Sequence, residues 1–306
     1  MYLETIEDQC TRLLPLIRKE YTRLLRSKGT WLLAILLVPW SYRPSYPAFE
    51  ALGTDITLAY IQGGTRILLP FGVLFLSYRS IVGERRSGSL KFTLGLPLTR
   101  REILVGKVVG RTAGIAGALT ASFLLISITG LLNHGAFDPV GFVGQLVLTH
   151  LYITILVTIA TSISAIANRT LSAAAAAIGG VFLIFELGWN RATLVGYSLF
   201  VDGSVNSYSP PESGPLFLLA RLSPGGAYRT VSNWLLGIGN SAASYDMVVR
   251  EMNPSSSTNV LVVETAFSTS SPPWYLYEGF SIVLMLAWIV IPFVLACRQF
   301  SRGDLA

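Results

Sequence analysis

Charged side chains are scarce in this chain: 13% of its 306 residues, where soluble domains carry about a quarter. With 52% hydrophobic residues and a mean hydropathy of +0.56, that scarcity excludes a disordered chain and an ordinary water-soluble enzyme. Cysteine is scarce too: Cys10 and Cys297 lie near opposite ends and exclude a disulfide framework. Histidine is limited to His134 and His150, and with no cysteine cluster no metal site is expected. The one Gly-Lys pair, Gly106-Lys107, is followed by Val108, and Arg101 stands five residues before Gly106. The chain therefore lacks the glycine-rich loop that cradles nucleotide phosphates. No Gly-x-Ser-Gly, His-x-x-Glu-His or Asp-rich motif supports an intramembrane protease or lipid transferase. The net charge of +6 calls for no nucleic-acid partner, because membrane proteins gather Lys and Arg on one side of the bilayer. What remains is a polytopic membrane protein.

A membrane-spanning helix needs about 20 mostly apolar residues. Segments 108–132, 142–167, 171–189 and 275–297 meet this easily, and 56–78 meets it despite Arg66. A sixth, 31–47, has a short apolar core, Trp31–Trp40, and would finish through Arg43. Charge decides its case. The basic stretches 1–30 and 79–107 should both face the cytoplasm, and two segments on one side are joined by an even number of crossings. Segments 31–47 and 56–78 therefore cross together. The expected fold is all-α: six transmembrane helices, both termini cytoplasmic, in the cell membrane. Seventeen of the 23 Lys and Arg then lie inside and five outside, with Arg66 in the membrane.

Residues 13–28 read as an amphipathic helix, with Leu13, Leu16, Ile17, Leu24 and Leu25 on one face. It either lies in the membrane interface or is a short solvated helix. The mixed charge of the first thirty residues does not fit a signal peptide. Residues 191–274 form a long outer loop between the fifth and sixth helices. Its apolar stretches, Leu216–Leu222 and Val231–Leu236, predict short helices there.

The basic loop 79–107 is the most informative stretch. Its centre, from Gly83 to Lys107, reads GERRSGSLKFTLGLPLTRREILVGK. Ser89–Leu94 predicts a short helix with apolar Leu90, Phe92 and Leu94, and Leu96-Pro97 stops it. Thr99 followed by Glu102 is a capping box opening the third span. On charge alone the loop could be a plain cytoplasmic connection, or a rigid element that takes a push from a partner.

The stretch from Glu84 to Gly110 resembles the signature of ABC-2 type ABC transporter permeases. That family shows an acidic-basic pair, Gly-Ser/Thr-Leu, Leu-Pro-Leu/Val-Ser/Thr-Arg, and Gly-Lys entering the third span. Leu222-Ser223-Pro224-Gly225-Gly226-Ala227-Tyr228 also resembles an element of the family's outer excursion. The NosY-like branch is the nearest in pattern. Two departures stand out: a short first span and a long outer loop. The resemblance implies a transmembrane subunit that exports a substrate, without fixing which. It implies a separate ABC ATPase partner, which would hold the ATP and magnesium, and a homodimer of permeases. It also implies that Gly88–Leu96 is a coupling helix seated in the ATPase. Glu84 and Arg85 would flank it; Leu90, Phe92, Leu94 and Pro97 would shape it; Arg100 and Lys107 would anchor it at the membrane. A non-transporting membrane component of an ATPase complex is the alternative.

Three ionisable residues fall within the expected spans, where such groups are functional candidates. Arg66, His150 and Glu186 lie about 18, 25 and 22 Å from the inner ends of their helices at 1.5 Å per residue. An Arg66–Glu186 pair, a substrate contact, or no contact are all compatible with those depths. Gly110-x-x-x-Gly114, Ala113-x-x-x-Gly117 and Ala176-x-x-x-Gly180 mark helix-packing seams, within the chain or, for the last, between two copies.

Overall fold

The structure is a computed structural model that describes residues 2–42, 46–95, 97–201, 205–206, 208–253 and 258–302. The side chains of 2–11, 46, 94, 301 and 302 are not among those described. Arg43 and Leu96, and the side chains of Leu94 and Arg302, thus lie outside the described residues.

Among the described residues every regular element is helical. α1 (Tyr2–Leu25) turns into α2 (Lys28–Ser41), followed by the short α3 (Tyr46–Leu52). α4 (Ile56–Gly64) and α5 (Leu68–Ser77) lead to α6 (Val82–Ser87) and α7 (Leu90–Leu94) in the basic segment. Two long helices follow, α8 (Arg100–His134) and α9 (Pro139–Ile166). α10 (Thr170–Ala174) continues through a π-helical stretch, Ala175–Gly188, into α11 (Trp189–Ser198). The excursion beyond holds α12 (Gly214–Arg221), α13 (Pro224–Leu236), α14 (Tyr245–Met252) and the single turn α15 (Val263–Ala266). α16 (Glu278–Arg302) closes the chain.

The long helices start where their first turns are satisfied. Thr99 and Glu102 form the reciprocal capping box at α8, as the sequence signals. Asp138 accepts from the Val140 and Gly141 amides at α9, with Pro139 at the first position, where a missing N–H costs nothing.

Four helical stretches are long and apolar enough to cross a membrane: Arg100–His134, Pro139–Ile166, Thr170–Ser198 and Glu278–Phe300. Pro47–Gly64 with Leu68–Ser87 makes a fifth if a bend of 40° is counted within one span. The bend falls at Thr65–Ile67, where the Thr65 amide and hydroxyl both donate to the Gln62 carbonyl and end α4. α2 has 14 residues, about 21 Å of helix. It packs inside the bundle nonetheless. Leu33, Ala34 and Leu37 are buried, and the Ser122 hydroxyl donates to the Ala34 carbonyl at 2.7 Å.

The main core runs through Leu37, Tyr60, Leu119, Phe123, Tyr152, Leu156 and Tyr228. Large apolar side chains also face outward: Leu124, Ile128 and Leu131 on α8, and Val283, Leu286, Val290 and Ile291 on α16. Contiguous apolar surface of this kind suits lipid and not water. With the apolar lengths above, it makes this a multi-pass membrane protein.

α13 is the one part of the excursion sunk deep into the bundle, against α9 and α16. A buried polar chain holds it there. Gln62 Nε2 donates to Ser232 Oγ and Asn233 Oδ1, Ser232 Oγ donates to Gln145 Oε1, and Gln145 Nε2 donates to the Tyr228 hydroxyl. Gln62 Oε1 accepts from the Tyr245 amide. Both ends of each amide are thereby used, which is what makes so many buried polar groups tolerable.

Candidate functional site

The basic segment folds as two short helices, not the single expected one. Gly88 lies between α6 and α7 at φ 74°, a left-handed conformation that ends α6 and that a side chain would strain. Beyond it, α7 presents two faces. Leu90 is buried among Ile81, Leu104, Ala165, Ala296 and Phe300. Lys91 and Phe92 point away, and Phe92 is 83% exposed. Pro97 is exposed in the link to α8.

The segment is tied to the bundle at each end. The Ser164 hydroxyl accepts from the Ile81 and Val82 amides, at 2.9 and 3.0 Å. Arg85 donates to the Ala167 and Ala165 carbonyls at the end of α9, where the helix dipole favours a cation. Arg100 donates to the Phe300 carbonyl and lies over the Phe300 ring, 5.5 Å from its centroid, which fixes the end of α16.

Behind α7 lies a buried ion cluster. Lys107 Nζ is 2.8 Å from Glu84 Oε1 and 2.8 Å from Glu20 Oε1. Arg111 reaches Glu20 Oε2 at 2.8 Å and also donates to the Leu76 carbonyl. Lys107 and Glu20 are completely buried. The Thr93 hydroxyl reaches Glu84 Oε2 at 3.5 Å, so α7 touches the cluster. Two carboxylates face two cations, so the cluster is neutral. Burial raises the Glu20 carboxyl, but Lys107 and Arg111 outweigh it and hold the group below the usual carboxylate range. Lys107 is therefore a buried bridge, and not the surface anchor expected from the sequence. It sits 23 residues from Glu84 and 87 from Glu20, and unites three elements.

Glu20 and Arg111 were not singled out as site residues by sequence reasoning. The signal was present: Glu20 stands four residues after Leu16 and four before Leu24, an acid on the apolar stripe of α1. Lys107 and Arg111 repeat at the same spacing, each directly after a glycine, Gly106 and Gly110. Those glycines, with Gly114, form the seat for α1. A β-carbon at Gly110 would lie 2.6 Å from the Ile17 carbonyl oxygen, and one at Gly114 2.8 Å from that of Tyr21. The Gly110-x-x-x-Gly114 seam thus packs within the chain. Gly179 and Gly180 have no neighbour within 4 Å of a built β-carbon.

The intramembrane candidates are placed differently. His150 is hydrogen-bonded between the Leu146 carbonyl, 2.7 Å, and the Thr120 hydroxyl, 2.9 Å, which joins α9 to α8. Arg66 sits in the break between α4 and α5, on the wall of a cavity of about 290 Å³ that Glu186 also lines. They form no ion pair. Glu186 Oε1 instead accepts from the Gly225 amide at 3.1 Å, because α13 brings its first turn against the π-helical stretch.

Comparison with known proteins follows this geometry. A family model described as ABC-2 family transporter protein matches residues 43–305. The chain is 29% identical over 227 residues to the probable ABC transporter permease protein NosY of Stutzerimonas stutzeri, covering 70% of this chain and 79% of that protein. It is 28% identical over 243 residues to the protein of the same name from Pseudomonas aeruginosa, covering 74% and 82%. The chain belongs to the ABC-2 transporter family, as a transmembrane component of an ABC transporter.

Proposed function

We propose that this ABC-2 family member is the permease subunit of an exporter, driven from the cytoplasm by a separate ATPase that grips α7. Permease components are not themselves catalytic, so ATP and magnesium belong to that partner. The observation that carries the reading is the two-faced α7. Phe92 and Lys91 are offered outward, while Leu90, Thr93 and Glu84 join the bundle behind them. A force applied to Phe92 has a short route through Glu84 and Lys107 to Glu20 on α1 and to the long helix α8. Closure of the ATPases would bias a helix bundle that has two packings of similar energy.

In this reading the bundle has six crossings. α2 makes the first, short as it is, with the bend at Thr65–Ile67 inside the second. Both termini and α7 face the cytoplasm of the cell membrane, and α1 lies along the inner interface against α8. Two copies would form the pathway, and the open face at Gly179 and Gly180 is the seam offered to the second copy.

The test is Phe92→Asp. The side chain is exposed, so folding and membrane insertion should persist while co-purification with the co-expressed ATPase falls at least tenfold. Undiminished co-purification would remove α7 from the docking surface. Substrate-stimulated ATPase activity in vesicles separates transport from a purely signalling or assembling role.

A further inference from the structure

The cavity beside Arg66 carries an imbalance that the coupling reading does not use. Its wall includes three guanidinium groups, Arg66, Arg191 and Arg229, and a single carboxylate, Glu186. Among the described residues no ion pair joins Glu186 to any of them. Arg66 and Arg191 make no hydrogen bond there either. Arg229 is held by its Nε–H, which donates to the Ala242 carbonyl at 2.7 Å, so its outer nitrogens remain available. The wall is otherwise neutral and partly polar: Asn190, Asn259 and Ser244 beside Trp189 and Met247. The Trp189 indole N–H is already committed to the Leu219 carbonyl.

Glu186 is buried, yet its Oε2 has no hydrogen-bond partner, nor has the Ser244 hydroxyl. A buried carboxylate oxygen facing an enclosed space without a donor is an incomplete arrangement. So are three cations against one anion at the depth of a bilayer, where charge is tolerated only when compensated. Both are completed by the same visitor: an anion that meets the arginines and carries a hydroxyl or ammonium donor for Glu186.

We propose that this cavity is a binding site for a small anionic ligand of the phosphate or carboxylate class, held by Arg66 and Arg191 and oriented by Glu186. Guanidinium forks suit both groups, because each presents two coplanar oxygens to paired N–H donors. A volume near 290 Å³ accepts a small molecule or a lipid headgroup and excludes a folded partner. The inference does not depend on an ATPase or on transport, so it stands or fails separately from the coupling reading.

The test uses the purified full chain in neutral detergent, read by thermal unfolding and by quenching of tryptophan fluorescence. The probes are inorganic phosphate, glycerol 3-phosphate, succinate and dihexanoyl phosphatidylglycerol, with choline chloride as control. At least one anion should raise the unfolding temperature saturably, while choline does nothing. A response to glycerol 3-phosphate or succinate identifies a soluble ligand; a response to the lipid alone identifies a headgroup. The double change Arg66→Gln with Arg191→Gln should weaken the effective anion at least tenfold. Should that variant fail to fold, Glu186→Gln answers independently: removing the one negative charge should tighten binding of a ligand without a donor, such as succinate or phosphate. No response to any anion, an unchanged response in the double variant, or weaker succinate and phosphate binding in Glu186→Gln would each overturn the proposal.

Discussion

At the scale of single residues, Lys107 decides the most. It is the only cation in contact with both Glu84 and Glu20, and none of the three carries appreciable exposure. Removing one member of a buried ion pair leaves the others charged and unsolvated, at a cost of about 3–5 kcal/mol. Lys107→Met should therefore destabilise the purified protein by that order. Adding Glu84→Gln should return part of the loss, because it removes the stranded charge. Strictly additive losses in chemical unfolding would mean that the two residues are not coupled. The same cluster sets a pH dependence. The folded carboxyl of Glu20 lies below its unfolded value. Its contribution is complete above the unfolded pKa, about 4.3 for a free glutamate, and is lost as pH falls through the depressed folded value. Glu20→Gln should flatten the acid limb of the stability curve and leave its shape at neutral pH unchanged. An identical acid limb in the variant would take Glu20 out of that titration.

At the scale of elements, the pairing of α1 with α8 is the most extensive in the chain. Its cause is a row of glycines at four-residue spacing, which lets α1 lie directly on the backbone of α8 and brings Glu20 within reach of Lys107 and Arg111. At Gly110 the obstacle to a side chain is the Ile17 carbonyl, and backbone cannot turn aside as a rotamer can. Gly110→Leu should cost at least the about 1–3 kcal/mol typical of overpacking and free α1 to protease. Gly196→Leu, where nothing lies within 4 Å, should change neither reading. Equal effects at the two positions would mean that the glycine row does not seat α1. Hydropathy alone displayed the long helices, since a run of apolar residues needs no knowledge of its neighbours. The bend at Thr65–Ile67 was hidden, because a window average smooths over three residues. The burial of α13 was hidden for a different reason. Ser232 and Asn233 look like loop residues until Gln62 and Gln145, distant in sequence, supply their hydrogen bonds. Arg221 misled in the same way: it reads as a solvated outer charge, yet it is buried and donates to the Leu276 carbonyl and to Asn240.

At the scale of the whole molecule, α2 governs the topology. With four full-length helices and one bent pair, the side on which α7 emerges depends on whether α2 crosses. Its buried face and its bond to Ser122 place it among the helices of the bundle, and a helix packed there gains from spanning even when short, since the bilayer thins around it at modest cost. If α2 crosses, the exposed residues Glu50 and Asn133 lie outside while Ser87 and Lys91 lie inside, together with the basic residues of α1. Single cysteines at positions 50, 133 and 91, in a background with Cys10 and Cys297 replaced by serine, make this measurable in intact cells with an impermeant maleimide. Positions 50 and 133 should label at once, and position 91 only after permeabilisation. A protected position 50 beside a labelled position 133 would put α2 on the cytoplasmic surface. Labelling of position 91 from outside would deny a cytoplasmic ATPase any access to Phe92, and the force route through Glu84 and Lys107 would have no driver.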